Sequence, residues 1–225
     1  MAELRKDILY LIMQFLGEQK YNETLHILEA EAKLLFDMEY FLELIVKGTW
    51  EEADKYFSSF TNIDEHPISM KVLFEIRKHK YLEALDRHDI KKAIELLMHE
   101  LKEFGKYNDD LYTELTGLLT KNNFREHRQL YTYTTPDEAR VVLAADFKKL
   151  LVSHPVLNES LRPPPMEGGR LRTLINQSLN WQHQMCKTDQ PNPDILTLYE
   201  DHHCSSSVAT NNNVQPDTGA RGQNQ

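Results

Sequence analysis

Residues 69–88 read SMKVLFEIRKHKYLEALDRH, twenty residues without a glycine or proline. A run of this length free of breakers predicts one long helix, and Pro67 stands where it starts. The missing N–H of proline costs nothing at the first helical position. Lys71, Phe74 and Lys78 recur at i, i+3 and i+7 and therefore share one face of that helix. A phenylalanine between two lysines suits an apolar peptide with acidic neighbours, although a core phenylalanine with a solvated lysine edge fits the same spacing.

Working outward, the punctuation predicts further helices on both sides. Ile8, Leu11, Ile12 and Phe15, widened by Leu16, form an apolar stripe in the first segment. Gly17 reads as a break before a second helix over residues 22–33. A third helix spans about 38–47 and stops at Gly48, and Thr49 with Glu52 reads as a capping box for a fourth. After residue 88, Asp89 caps a helix expected to end at Phe104–Gly105, and Asn108 caps one through Leu119. A shorter helix covers 124–130. Thr135 followed by Pro136 opens a helix to about Val152. RPPPMEGG (162–169) interrupts the succession, which resumes as a helix from Arg170 to about Cys186. With short links and no alternating strand pattern, the fold class is all-α, a helical bundle. Beyond Cys204 the chain carries no aromatic residue, Leu or Ile, and residues 205–225 read as a disordered tail.

A chain of 225 residues is long enough for a substantial core. Its net charge of −9 argues against general nucleic-acid binding, which needs clustered Lys and Arg. No apolar run approaches the ~20 residues of a membrane span. The N-terminus lacks a signal-peptide pattern, so a reducing compartment is expected. Neither a glycine-rich phosphate loop nor an open metal site suggests an enzyme.

Both cysteines lie in 183–204, HQMCKTDQPNPDILTLYEDHHC. His183, Cys186, His202 and Cys204 read H-x2-C-x15-H-x-C. Thiolates plus imidazoles at this spacing suit tetrahedral Zn²⁺ with no position left for water, hence a structural site. His203 competes with His202, and free cysteines with incidental histidines remain the alternative.

The stretch L11-I-x-x-F-L-x4-Y-x-x-T-x3-L-x-x-E31 resembles a LisH motif, a short dimerisation unit. WEEADKYFSSFT (50–61), SMKVLFEIRKHKYLEALDRHD (69–89), NFREHRQL (123–130) and RLRTLINQSLNWQHQMC (170–186) together resemble the N-terminal domain of plant TOPLESS-type corepressors over about 1–204. The resemblance implies LisH over 1–36, CTLH over 37–95, CRA helices over 96–161, and a C-terminal helix with a zinc-stapled segment over 162–204. It implies a nuclear transcriptional corepressor that binds no DNA itself. Repressors and adaptors would recruit it through EAR peptides, Leu-x-Leu-x-Leu. Its implied peptide groove comprises Lys71, Phe74, Lys78, Phe104, Leu111, Leu130 and Leu150. Pro67 departs from a basic residue usual in the family. Ile8, Leu11, Ile12, Phe15 and Leu16 would make the dimer, although packing on the chain's own later helices suits that stripe too. Lys102 and Thr116 would make the tetramer contact, with Gly117 and Asn122 departing beside them. The family word Asp-His-Ser-Cys favours His202 as the ligand. A LisH–CTLH scaffold subunit of a ubiquitin ligase shares these modules and is the rival reading.

Overall fold

The computed structural model describes residues 2–121, 123, 125, 133, 135–186, 197–202 and 204. Among them every regular element is helical, as the sequence pattern predicts. The expected helix over 124–130, Leu130, Asn122, His203 and the 205–225 tail lie outside the described residues or mostly so. The chain divides into two compact units, Met1–Gly168 and Gly169–Gln225.

The first unit holds α1 (Ala2–Glu18), α2 (Asn22–Ala32), α3 (Met38–Lys47), α4 (Trp50–Phe60), α5 (Pro67–Asp86), α6 (Ile90–Leu96), α7 (Asp109–Leu118), α8 (Pro136–Val152) and α9 (Pro155–Ser160). Several starts follow from side chains that accept orphan N–H groups. Asp37 accepts from Tyr40 N, Asp89 from Lys92 N, Asn108 from Leu111 N and Thr135 from Glu138 N. Three local expectations fail. α1 runs through Gly17, and the turn is made by Lys20 at φ 65°. Thr49 caps nothing with its side chain, because its hydroxyl donates to Leu44 O instead. The helix begun at Ile90 does not continue regularly to Gly105. It widens to a π turn over Leu97–Leu101 and tightens to a 3₁₀ turn over Lys102–Lys106. α9, capped by His154, has no counterpart in the sequence reading.

The core is aromatic where α3, α4 and α8 meet. Phe41 on α3 stacks on Phe147 of α8 with centroids 5.9 Å apart, and both are fully buried. Such ring pairs add about 0.5–1.5 kcal/mol beyond their buried area. Phe36 and Phe57 extend the cluster towards α4. A buried ion pair joins α8 to α5: Arg140 Nε and Nη2 donate to the two oxygens of Glu83 at 2.7 Å each. Gly48 ends α3 at φ 74°, and a Cβ there would strike the Arg140 guanidinium. Both constraints select glycine.

Burial favours pairing of interior polar groups; among the described residues the Trp50 indole N–H is buried without a hydrogen-bond acceptor, whereas the following groups are paired. Glu29 on α2 accepts from Tyr56 Oη on α4 at 2.9 Å and contacts His26 Nδ1 at 2.9 Å. Burial pushes its carboxyl above the ordinary range. His154 accepts from Leu157 N through Nδ1 and reaches Ser69 Oγ at 2.7 Å through Nε2, tying α9 to α5. The proline-rich 163–166 segment lies over α1 and α2, closing a cavity of about 220 Å³ with Tyr10, Met13 and Leu25. Gln14 Nε2 donates to Glu167 O at 2.8 Å and secures that strap.

The second unit contains α10 (Arg170–Met185) and the 197–204 segment. Gly169 precedes the helix at φ 67°. The helix ends one residue before Cys186, which becomes its cap.

Candidate functional site

α5 carries the proposed peptide face. Lys71 is exposed, and Phe74 is half-buried against the core. The Phe74 ring meets Phe104 edge-on, with centroids 5.3 Å apart and planes at 71°. Lys78 Nζ lies 5.4 Å from the Phe74 centroid, and the Arg77 guanidinium 5.6 Å from that of Phe104. Cations at these distances are attracted by the ring faces. The structure therefore brings Phe74, Phe104 and Lys78 together. Leu111 and Leu150 are half-buried on α7 and α8, and Leu150 packs against the same core. Leu130 lies outside the described residues.

Phe104 reaches Phe74 from the irregular π–3₁₀ segment, and the residue that fixes this segment escaped the sequence reading. Arg77 Nε donates to Asp54 Oδ2 on α4 at 2.6 Å, Nη1 donates to Glu100 O at 3.4 Å, and the guanidinium pairs with Glu103. Lys80 adds a second tie, to Glu100 at 2.8 Å and Glu51 at 3.1 Å. Two cations on α5 thus anchor the turn that presents Phe104. Glu100 and Glu103, three apart, were the available signal, but acids on an amphipathic pattern usually mark only a solvated face.

On α1, Ile8 and Ile12 are 48% and 37% exposed, while Leu11, Phe15 and Leu16 are half-buried and Met13 is buried. The inward anchor of α1 is therefore Met13, with Ile8 and Ile12 outward one turn apart. Lys102 is exposed at the start of the 3₁₀ turn. Thr116 is exposed on α7, where its hydroxyl donates to Tyr112 O.

The second unit gathers its four sulfur and nitrogen donors. His183 and Cys186 project from the last turn of α10, and His202 and Cys204 come from the terminal segment. One donor atom from each lies within 4.8 Å of all the others. His183 Nδ1 is 3.3 Å from His202 Nε2 and 3.1 Å from Cys204 Sγ, and His202 Nε2 is 3.1 Å from Cys204 Sγ. Zinc bonds of about 2.0–2.3 Å at tetrahedral angles imply donor separations of roughly 3.3–3.8 Å. The donor set and its spacing therefore fit zinc. The cysteines are not bonded to each other. Gln182, also missed in the sequence reading, fastens the returning segment: its Oε1 accepts from His202 N at 2.9 Å and its Nε2 donates to Asp201 at 3.0 Å. Such outer partners orient ligands before the ion binds.

Two known families match successive stretches of the chain. Residues 37–161 match the family profile of the TPR1-like, CTLH-containing domain, and residues 164–204 match that of the TOPLESS zinc finger domain. The chain is similar to Topless-related protein 1 of Arabidopsis thaliana, with 50% identity over 204 residues, 91% of this chain and 18% of that protein. Protein TOPLESS of the same plant is 49% identical over 204 residues, with the same shares covered. Protein TPR3 of Oryza sativa subsp. japonica is 48% identical over 204 residues, again 91% and 18%. The chain thus spans 18% of the length of these relatives.

Proposed function

Since the chain belongs to the TOPLESS family, carrying its TPR1-like, CTLH-containing domain and its zinc finger domain, we propose that it is a non-catalytic recruitment module of a nuclear transcriptional corepressor. It takes short extended EAR peptides, Leu-x-Leu-x-Leu, from repressors and adaptors. It reaches DNA only through them. Copies associate through the outward face of α1, around Ile8 and Ile12, with Lys102 and Thr116 in a second contact that makes a tetramer.

The observation that carries the peptide reading is the half-buried Phe74 ring held against Phe104 beside the Lys78 ammonium. In an extended peptide alternate side chains point to one side, so three leucines spaced by two present one apolar edge. Burying them contributes about 5–9 kcal/mol gross. Ordering the peptide costs about 2–5 kcal/mol, and a lysine as exposed as Lys71 adds about 0–1 kcal/mol. The balance is a micromolar or weaker site, where 1 μM corresponds to about 8 kcal/mol. Weak sites gain from being linked, which gives self-association a physical purpose.

In the second unit zinc serves as a structural cross-link. His183, Cys186, His202 and Cys204 would hold it, fastening the terminal segment that carries His202 and Cys204 to the end of α10. Four protein ligands fill the tetrahedron and leave no coordination site for substrate.

Titration of a Leu-x-Leu-x-Leu peptide into the chain, with the mass followed by light scattering, tests the reading. Saturable micromolar binding to an oligomer is expected. Absence of binding would overturn it and favour the ubiquitin-ligase scaffold.

A further inference from the structure

The two lysines flanking Phe74 are not equivalent. Lys78 Nζ lies 2.7 Å from Glu75 Oε1 and 2.6 Å from Oε2, so the carboxylate grips it with both oxygens. Each side chain is only 20% exposed, and water screens such a pair less than one on the open surface. The same ammonium stands beside the Phe74 ring. Glu75 is itself steadied from the next turn, where His79 Nδ1 donates to its backbone carbonyl at 2.9 Å. His79 Nδ1 also lies 3.6 Å from Glu75 Oε2, but burial depresses the pKa of the imidazole and favours its neutral form, so Lys78 is the cation that holds the carboxylate. Lys71, by contrast, is exposed, and among the described residues it has neither an ion pair nor a hydrogen bond from its ammonium.

We infer that Glu75 is a specificity-determining residue of the groove: it is an internal counter-ion that occupies Lys78 and leaves Lys71 as the open cation. The inference rests on the groove reading above. A peptide carboxylate arriving at Lys78 must displace Glu75 or sit beside it as a like charge, and either course cancels most of the attraction. Acidic residues are therefore selected at the Lys71 end of a bound peptide and discounted at the Lys78 end. Lys78 still contributes its aliphatic stem as groove wall beside the ring.

The test is calorimetry on the whole chain with two Leu-x-Leu-x-Leu peptides, one flanked at both ends by Asp and one by Asn. The ratio of their affinities reads the acid preference. Glu75→Gln, which keeps the shape, is expected to raise that ratio about 3- to 10-fold, with a steeper salt dependence. Placed on Lys78→Gln, the same change is expected to add nothing. A ratio unmoved by Glu75→Gln overturns the inference. So does an equal rise on the Lys78→Gln background, which would assign the effect to net charge alone. Should Glu75→Gln unfold the chain, Glu75→Asp, with its shorter reach, must still raise the ratio. If the unaltered chain binds neither peptide, the groove and its guard fall together; if it binds both and only the ratio fails to move, the groove stands without the guard.

Discussion

Arg77→Met tests whether the peptide face depends on the turn that presents Phe104. Methionine keeps an unbranched stem along the same path but removes every hydrogen bond from the guanidinium. The Asp54 contact is largely enclosed, with both side chains about one-fifth exposed or less. Its loss costs about 1.5–3 kcal/mol, the range for a charged hydrogen bond. Glu103 is more open, and its pairing adds about 0–1 kcal/mol. The sum is about 1.5–4 kcal/mol. For a unit of this size each kcal/mol moves the melting midpoint by about 2–4 °C, so a fall of about 3–16 °C is expected. The 3₁₀ turn also loses its hold on α5. With Phe104 less firmly set against Phe74, peptide affinity should drop about tenfold, or about 1.4 kcal/mol. Scanning calorimetry reads the first effect, and titration well below the lowered midpoint reads the second. Arg77→Lys, which keeps the charge without the planar fork, should fall between. An Arg77→Met chain that melts with the parent and binds peptide equally would refute the reasoning.

Chelation, or Cys186→Ser, should melt the second unit while the first retains its transition, and metal analysis of protein purified without chelator should find one zinc per chain. Apparent binding energies for structural zinc of about 10–16 kcal/mol make this an all-or-none effect; intact helix 170–185 after chelation would count against it. His154 should make stability pH-dependent. Burial and nearby His66 depress its pKa, so the folded state binds fewer protons than the unfolded state, whose histidine titrates near about 6.5. The contribution is complete above that value and is lost as pH falls through it towards the folded pKa. His154→Asn keeps an N-cap for α9 and should flatten the urea-midpoint profile between pH 7 and 5; an unchanged slope would contradict the assignment. Ile8→Glu with Ile12→Glu should halve the mass or more in light scattering, without lowering helix content.

The bundle was legible because its punctuation is local. Asp89, Asn108 and Thr135 each satisfy an N–H three residues on, a rule that needs no tertiary context. The failures are places where a distant partner decides. Thr49 had an equally good acceptor in Leu44 O, and Gly17 remained helical because glycine in a helix costs only about 1 kcal/mol. At the π and 3₁₀ turns of 97–106, Arg77 and Lys80 hold Glu103 and Glu100 across the bundle, contacts that no periodicity in ELLMHELKEFGK encodes. At the proposed zinc site the four donors that the structure gathers were readable by type and spacing. Gln182 was not, since an amide carries no chemical signature until its partners at 201 and 202 return beside it. Likewise the face shared by Lys71, Phe74 and Lys78 followed from spacing, but the Glu75 clasp on Lys78 did not, because i,i+3 pairs abound on solvated helices.

In the proposed complex, alternate leucines of an extended peptide lodge beside the ring at position 74. Calorimetric titration of a Leu-x-Leu-x-Leu peptide into the unaltered chain and into Phe74→Gln tests it most directly. Saturable binding by the first, none by the second, and the same far-ultraviolet spectrum for both are expected. Equal affinity in the two chains would contradict it.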